Sequence, residues 1–361
     1  MCYRIIALIL MLSSSVLPVM GDSCTAPAPS GGATPLTDFA PGQTYKGFPG
    51  FLYDGSNNVP ADHDADGKTF ASNIHTINGK IVFLAIGMSN TTIEVCGGNA
   101  FQNNDPDDPL ATNCPLPGSN PPYNQVQSFL GQWVGDSTVN HTTVVPVDGA
   151  KGGQTFTDWD PFAANCGTTC WANYDRVRDQ ILTPAGLSES QVQSIWLKDA
   201  DANPTVALPA SNADAFTAEK LMGDIMRAIK IRYPNIQQVF ISSRIYAGYA
   251  NTFGNSLNPE PFAYEYGFSV KWLIQAQINQ IRTGTVDPLA GDLGYAHAPW
   301  IAWGPYLWAN GPNPRSDGLR WLNSDYRARE CTHPGLSAEQ KVGRLLLQFM
   351  KTSPYTAWFR Q

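Results

Sequence analysis

The chain has 361 residues, of which 43% are apolar, 11% aromatic and 15% charged, enough for a large buried core and far from a disordered composition. Acidic residues outnumber basic ones by 30 to 23, giving a formal charge of -7, and no run of Lys or Arg exceeds two, so the electrostatic footprint needed to hold a nucleic acid is missing. The 32 Gly and 28 Pro predict long irregular connections between elements.

Residues 1–21 combine Arg4, an apolar stretch from Ile5 to Leu12 and small residues leading to Gly21, the pattern of a secretory signal peptide. The stretch is too short to span a bilayer, and the pattern predicts a secreted protein, periplasmic or extracellular. Residues 22–361 show neither a linker nor a fixed repeat and read as one domain. Cleavage removes Cys2 and leaves Cys24, Cys96, Cys114, Cys166, Cys170 and Cys331. An even count in an exported chain predicts three disulfides, with the pairing open. Zinc is disfavoured because no CxxC or HxxxH pair accompanies them.

Farther along, Asp62, Asp64 and Asp66 before Gly67 copy the start of a calcium loop, but Asn73 stands where the bidentate Glu belongs, so a solvated acidic turn is favoured. Lys80 to Ile86 is a continuous apolar run ending at Gly87, the signature of a central parallel strand. A loop insertion rich in Asn, Asp and Pro follows at 102–123. Further strands are expected at Thr143 to Val147, Ser194 to Lys198, Gln237 to Ser242 and Pro299 to Trp303. Helices are expected where Leu221, Ile225, Ala228 and Ile229 share a face, and where Trp272, Ile274, Ile278 and Ile281 do. Trp300, Trp303, Trp308 and Trp321 could stack on sugar rings, with core packing the favoured role. Ser337 and Gln340 form a capping-box pattern before Val342, Leu345, Leu346 and Phe349. Strands alternating with helices predict an α/β sheet, whose ligands gather at the carboxyl ends of the strands.

Two groups of residues at such ends carry chemistry. Ser89, three residues past the strongest strand in Gly87-Met88-Ser89-Asn90, would lie at the carboxyl edge with backbone amides of the next turn near its oxygen. No G-x-S-x-G occurs, so the strained elbow of the α/β-hydrolases is not the device. In Glu330-Cys331-Thr332-His333, a carboxylate three residues before a histidine can accept the Nδ1 proton and leave Nε2 free to take a proton from a serine.

Together with the glycine-rich segment Asp148-Gly149-Ala150-Lys151-Gly152-Gly153-Gln154-Thr155, these motifs resemble those of the SGNH (GDSL-like) hydrolase superfamily over most of the mature chain. Gly87, Met88 and Ser89 match the first block, with Met88 in place of the usual Asp. Gly153 best matches the oxyanion-hole glycine of the second. Glu330 and His333 match the last, with Glu in place of Asp. The third block expects an Asn after a strand, where this chain has Ala200; Asn203 is the nearest amide, and Asn90 beside the nucleophile is the alternative. The resemblance implies a flavodoxin-like three-layer α/β/α sandwich around a parallel sheet of about five strands. It also implies a triad of Ser89, His333 and Glu330, an oxyanion hole from the amides of Ser89 and Gly153, and neither metal nor cofactor. The activity implied is ester hydrolysis through an acyl-serine, first on acetyl esters of carbohydrate. Lipid or small acyl esters are the alternative within that class, and a catalytically silent carbohydrate-binding protein is the alternative outside it.

Overall fold

The architecture is taken from a computed structural model, which describes Cys24, 33–97, 126–163, 167–201, 203–250, 258–327 and 331–361. The signal segment 1–21, the insertion 102–123 and Glu330 lie outside the described residues. A short hairpin of β1 (Thr44–Tyr45) and β2 (Phe48–Pro49) precedes α1 (Ala61–Ser72). The chain then alternates through β3 (Ile81–Gly87), α2 (Ser89–Cys96), α3 (Phe129–Gly135), β4 (Val144–Asp148), α4 (Phe156–Trp159) and α5 (Ala172–Arg176). It continues through β5 (Val192–Lys198), α6 (Asp214–Arg232), β6 (Gln238–Ile241), α7 (Phe262–Thr283), β7 (Trp300–Trp303) and α8 (Leu336–Thr352).

The five main strands form one parallel sheet in the order β4-β3-β5-β6-β7. Helices α1, α2, α3 and α8 cover one face and α4 to α7 the other, which makes the expected three-layer α/β/α sandwich. Covered on both sides, β3 and β5 are buried at every position. The chain runs from β3 outward to β4 and then back across to β5, so the topological switch point falls between the carboxyl ends of β3 and β5.

All five expected main strands are present. The segment β5 begins two residues before the expected Ser194 because Gln193, polar in sequence, is buried with its amide satisfied by His75, accepting from N at 3.1 Å and donating to O at 2.6 Å. The anticipated α7 stripe is corrected at its end: Ile281 is exposed, and burial runs instead through Tyr264, Phe268, Leu273 and Ile278. The capping box at the last helix is also corrected. Gly335 is the N-cap of α8, and Ser337 Oγ donates to Asp325 Oδ1 at 2.7 Å.

The acidic run 62–66 is not a turn but the opening of α1, where carboxylates favour the helix N-terminus. Asp62 pairs with Arg282, Asp64 accepts from Lys68 Nζ at 2.6 Å and Tyr355 OH at 2.8 Å, and Asp66 accepts from Tyr295 OH at 2.7 Å. Gly67 is there for space, since a Cβ would stand 2.3 Å from the buried Trp300 ring. Among the described residues, no group of three or more His, Cys, Asp and Glu is placed to hold a metal ion. No described helix is long and apolar enough to cross a membrane. Trp300, Trp303, Trp308 and Trp321 are all buried in the core.

Candidate active site

Ser89 is the first residue of α2, directly past the carboxyl end of β3, and its amide is therefore among those that a helix leaves without an intrahelical acceptor. His333 comes from the loop before α8, and its Nε2 lies 2.8 Å from Ser89 Oγ. With Nε2 unprotonated, the hydroxyl donates to it, the arrangement in which imidazole accepts a serine proton. Ser89 is half-buried and His333 is 9% exposed, so the imidazole is shielded from water while the serine is still reachable from the carboxyl edge of the sheet.

The α2 sequence Ser-Asn-Thr-Thr-Ile-Glu-Val-Cys looks too polar for a helix buried from Asn90 to Cys96. Each polar side chain nevertheless finds a partner on a neighbouring strand end or on the His333 loop. Asn90 Nδ2 donates to Thr332 O at 3.3 Å, joining the helix of Ser89 to the residue before His333. Thr91 Oγ1 donates to Lys198 O at the end of β5, and Thr92 Oγ1 donates to Asp148 Oδ2 at the end of β4. Glu94 receives Lys198 Nζ on both carboxylate oxygens, at 2.7 and 2.6 Å, with both side chains fully buried. Burial pushes the Glu94 carboxyl up and the Lys198 ammonium down to about 8, each opposed by the charge of the other. Gly87 permits the close crossing of β3 and β5, since a Cβ there would stand 2.0 Å from Lys198 O.

The glycine-rich loop approaches from β4. It continues the strand pairing, with Gly149 N donating to Ala85 O at 2.8 Å and Lys151 N to Gly87 O at 3.1 Å, and then turns so that Gln154 N donates to Lys151 O at 3.2 Å. A Cβ on Gly152 would stand 3.8 Å from Ser89 Cβ, so Gly152 faces Ser89. Gly153 follows, exposed and with φ of +75°, the left-handed conformation that lets the loop turn away. Asp148 supports the loop from beneath, with Oδ1 accepting from Ala150 N at 3.0 Å. Its carboxyl is pushed up to about 6 by burial, against the lowering effect of its bonds to Thr92 and Ala150.

The His333 loop is closed by its own backbone. Tyr326 and Pro334 form an antiparallel bridge, Arg327 N donates to His333 O at 3.0 Å, and Cys331 N donates to Arg327 O at 3.1 Å. Cys331 is joined by a disulfide to Cys24, 307 positions earlier in the chain. Cys96 and Cys170 are disulfide-bonded as well.

Of the residues singled out in the sequence, Ser89, His333 and the glycine loop are thus brought together. Glu330 lies outside the described residues. Asp325, the nearest carboxylate before His333 among the described residues, is already engaged by Leu322 N at 2.7 Å, Ser337 Oγ and Lys341 Nζ. Asn203 is exposed, and the Asn90 amide is turned to the Thr332 carbonyl. Sequence reasoning named Asp148 and Gly152 only as part of the glycine-rich segment, and it missed the pairing of Glu94 with Lys198. A charge ending an apolar strand and a carboxylate inside a short buried helix were the available signals for the last two.

No protein-family model and no curated protein matches the chain. A search of solved structures finds an Arabidopsis thaliana protein with 11% identity and a TM-score of 0.37, covering 76% of this chain and 98% of that one, a likeness too low to carry an argument.

Proposed function

We propose that this chain is a secreted serine ester hydrolase of the SGNH kind, working through an acyl-serine on acyl esters, acetyl esters of carbohydrate first among them. The observation that carries the reading is the 2.8 Å contact between Ser89 Oγ and His333 Nε2 at the sheet's carboxyl edge, beside a glycine loop. Ser89 would attack the ester carbonyl while His333 takes its proton. The resulting tetrahedral oxyanion would be held by backbone amides of Ser89 and of the Gly152-Gly153 turn. Collapse of that intermediate expels the alcohol, protonated by His333, and leaves the acyl-serine; water activated by the same imidazole then releases the acid. Glu330 is the proposed partner of His333, a role supported by the occupation of Asp325 elsewhere. The Cys24–Cys331 disulfide suits an exported protein.

Labelling with a fluorophosphonate tests the reading. Covalent modification at Ser89, abolished in Ser89→Ala and in His333→Ala, is the expected result. A folded protein left unlabelled would turn the assignment toward a binding protein that keeps the fold.

A further inference from the structure

Two buried polar groups next to Ser89 take no part in the chemistry above. Arg244 follows β6, is 2% exposed, and extends past the end of β5 to the residue preceding the nucleophile, where its Nη1 donates to Met88 Sδ at 3.4 Å. A thioether is a weak acceptor, and a guanidinium carries five donors. Arg244 Nε is buried without a hydrogen-bond partner. Asp199, the first residue past β5, is 4% exposed; its Oδ1 accepts from Ala200 N at 2.8 Å, and its Oδ2 is buried without a partner. The strand register aligns Gly87 with Lys198 and Leu197 with Ile241, so Ser89, Asp199 and Arg244 lie just beyond three adjacent strand ends, across the switch point.

Buried guanidinium groups are retained where a carboxylate or another anion satisfies them, because an unpaired charge in the interior is costly. The nearby Glu94 is already bonded to Lys198 through both oxygens. Burial, reinforced by the charges of Asp201 and Asp158, pushes the Asp199 carboxyl well above its ordinary range against the opposing effects of the Ala200 amide and Arg244, which favours the proton-bearing form. In that form Oδ2 is a donor, as Arg244 Nε is. Two unused donors, one of them on a cation, are complementary to a planar anion that offers two oxygens. The glycine loop reaches Ser89 from β4, on the opposite side of β3, so this second point is separate from the backbone amides assigned to the oxyanion.

We infer that Arg244 and Asp199 form a carboxylate-binding point beside Ser89, and that the ester this chain takes bears a free carboxylate on its acyl or alcohol part. The ester half of the inference rests on the proposed function; the binding half stands apart from it.

Titration of the wild-type protein with acetate and with its neutral isostere acetamide, followed by NMR, tests the binding half without turnover. Saturable binding of acetate, with acetamide weaker by about tenfold or more, is expected, and Arg244→Gln should weaken acetate by a similar factor. Arg244→Lys, which keeps the charge and loses the fork, should fall between. Equal binding of the two probes, no binding of acetate, or undiminished binding by a folded Arg244→Gln overturns the inference. The wild-type comparison and Arg244→Lys still decide if the glutamine variant does not fold. For the ester half, wild-type kcat/KM should favour p-nitrophenyl hemisuccinate over p-nitrophenyl acetate, with the preference lost in Arg244→Gln. Acetate binding combined with hydrolysis of neither ester would remove the nucleophile assignment and leave the carboxylate point standing.

Discussion

Ser89 and His333 meet at 2.8 Å, yet the two are held in place by different kinds of bond. The serine opens a helix whose side chains hydrogen-bond to the ends of β4 and β5 and to the His333 loop, with a disulfide only at its far end, Cys96. The histidine sits on a loop with no helix or strand of its own, closed by one β-bridge and tied by a disulfide to the other end of the described chain. A short helix can be fixed from many directions because every turn offers a side chain. A loop offers few, so a cross-link near its tip does the same work by removing alternatives from the ensemble.

The largest expected effect falls on the contact where the two devices meet. Ser89→Ala or His333→Ala should each lower kcat by about 10⁴-fold or more, with unfolding midpoints near the wild type, because neither side chain fills the core. Ester hydrolysis at the wild-type rate in either variant would remove the pair from the chemistry.

On the serine's side, Lys198→Met strands Glu94 without its partner inside the sheet. Unfolding by urea should show a loss of about 3–5 kcal/mol, much of it recovered in the double variant Glu94→Gln/Lys198→Met, since burying an unpaired charge costs more than replacing the pair. If the single and double variants are equally unstable, the pair does not hold α2 against β5.

Removing the histidine's cross-link with Cys24→Ser/Cys331→Ser should cost about 2–4 kcal/mol and lower kcat more than it raises KM, because His333 lies two residues from Cys331. Unchanged kcat at full folding would assign the placing of His333 to the Tyr326–Pro334 bridge alone.

Asn90 joins the two regions directly. With its amide given to Thr332 O, Asn90→Ala should cost about 1 kcal/mol of stability and roughly tenfold in kcat. A loss of about 100-fold or more would be the mark of an oxyanion donor and would restore Asn90 to that role. Exposed Asn203, changed to Ala, should leave the rate within about twofold by the same measure.

The smallest effect is on pH dependence beneath the glycine loop. Asp148 holds its proton in the folded state up to about pH 6, whereas an unfolded Asp releases it near about pH 4. Between those values the folded state binds more protons, so the contribution of Asp148 to stability is present at low pH and is lost as pH rises through 6. Asp148→Asn should flatten that part of the stability profile, as read from urea midpoints from pH 4 to 7. An unaltered slope would assign the proton elsewhere.

Local pattern was enough to locate the five main strands, because a strand covered on both faces must be apolar along its whole length and needs no knowledge of its neighbours. It was enough as well to single out Ser89 and the glycine loop past the ends of β3 and β4, and His333 just before α8, since each adjoins an element whose boundary is written in nearby residues. What escaped it were roles that depend on a partner from far along the chain. Asp62, Asp64 and Asp66 read as a solvated acidic turn because their pairing with Arg282, Tyr355 and Tyr295 is invisible at short range. Asn90 is legible in the sequence only as the alternative to Asn203 for the oxyanion, since its bond to Thr332 O, 242 positions away, is invisible at short range. Lys198 and Glu94, 104 positions apart, and the two unsatisfied groups on Asp199 and Arg244 acquire meaning only once the sheet sets their strand ends side by side. Apolar burial is a property of one residue and can be read from a pattern, whereas a buried polar group is defined by what satisfies it, and only the tertiary structure decides that.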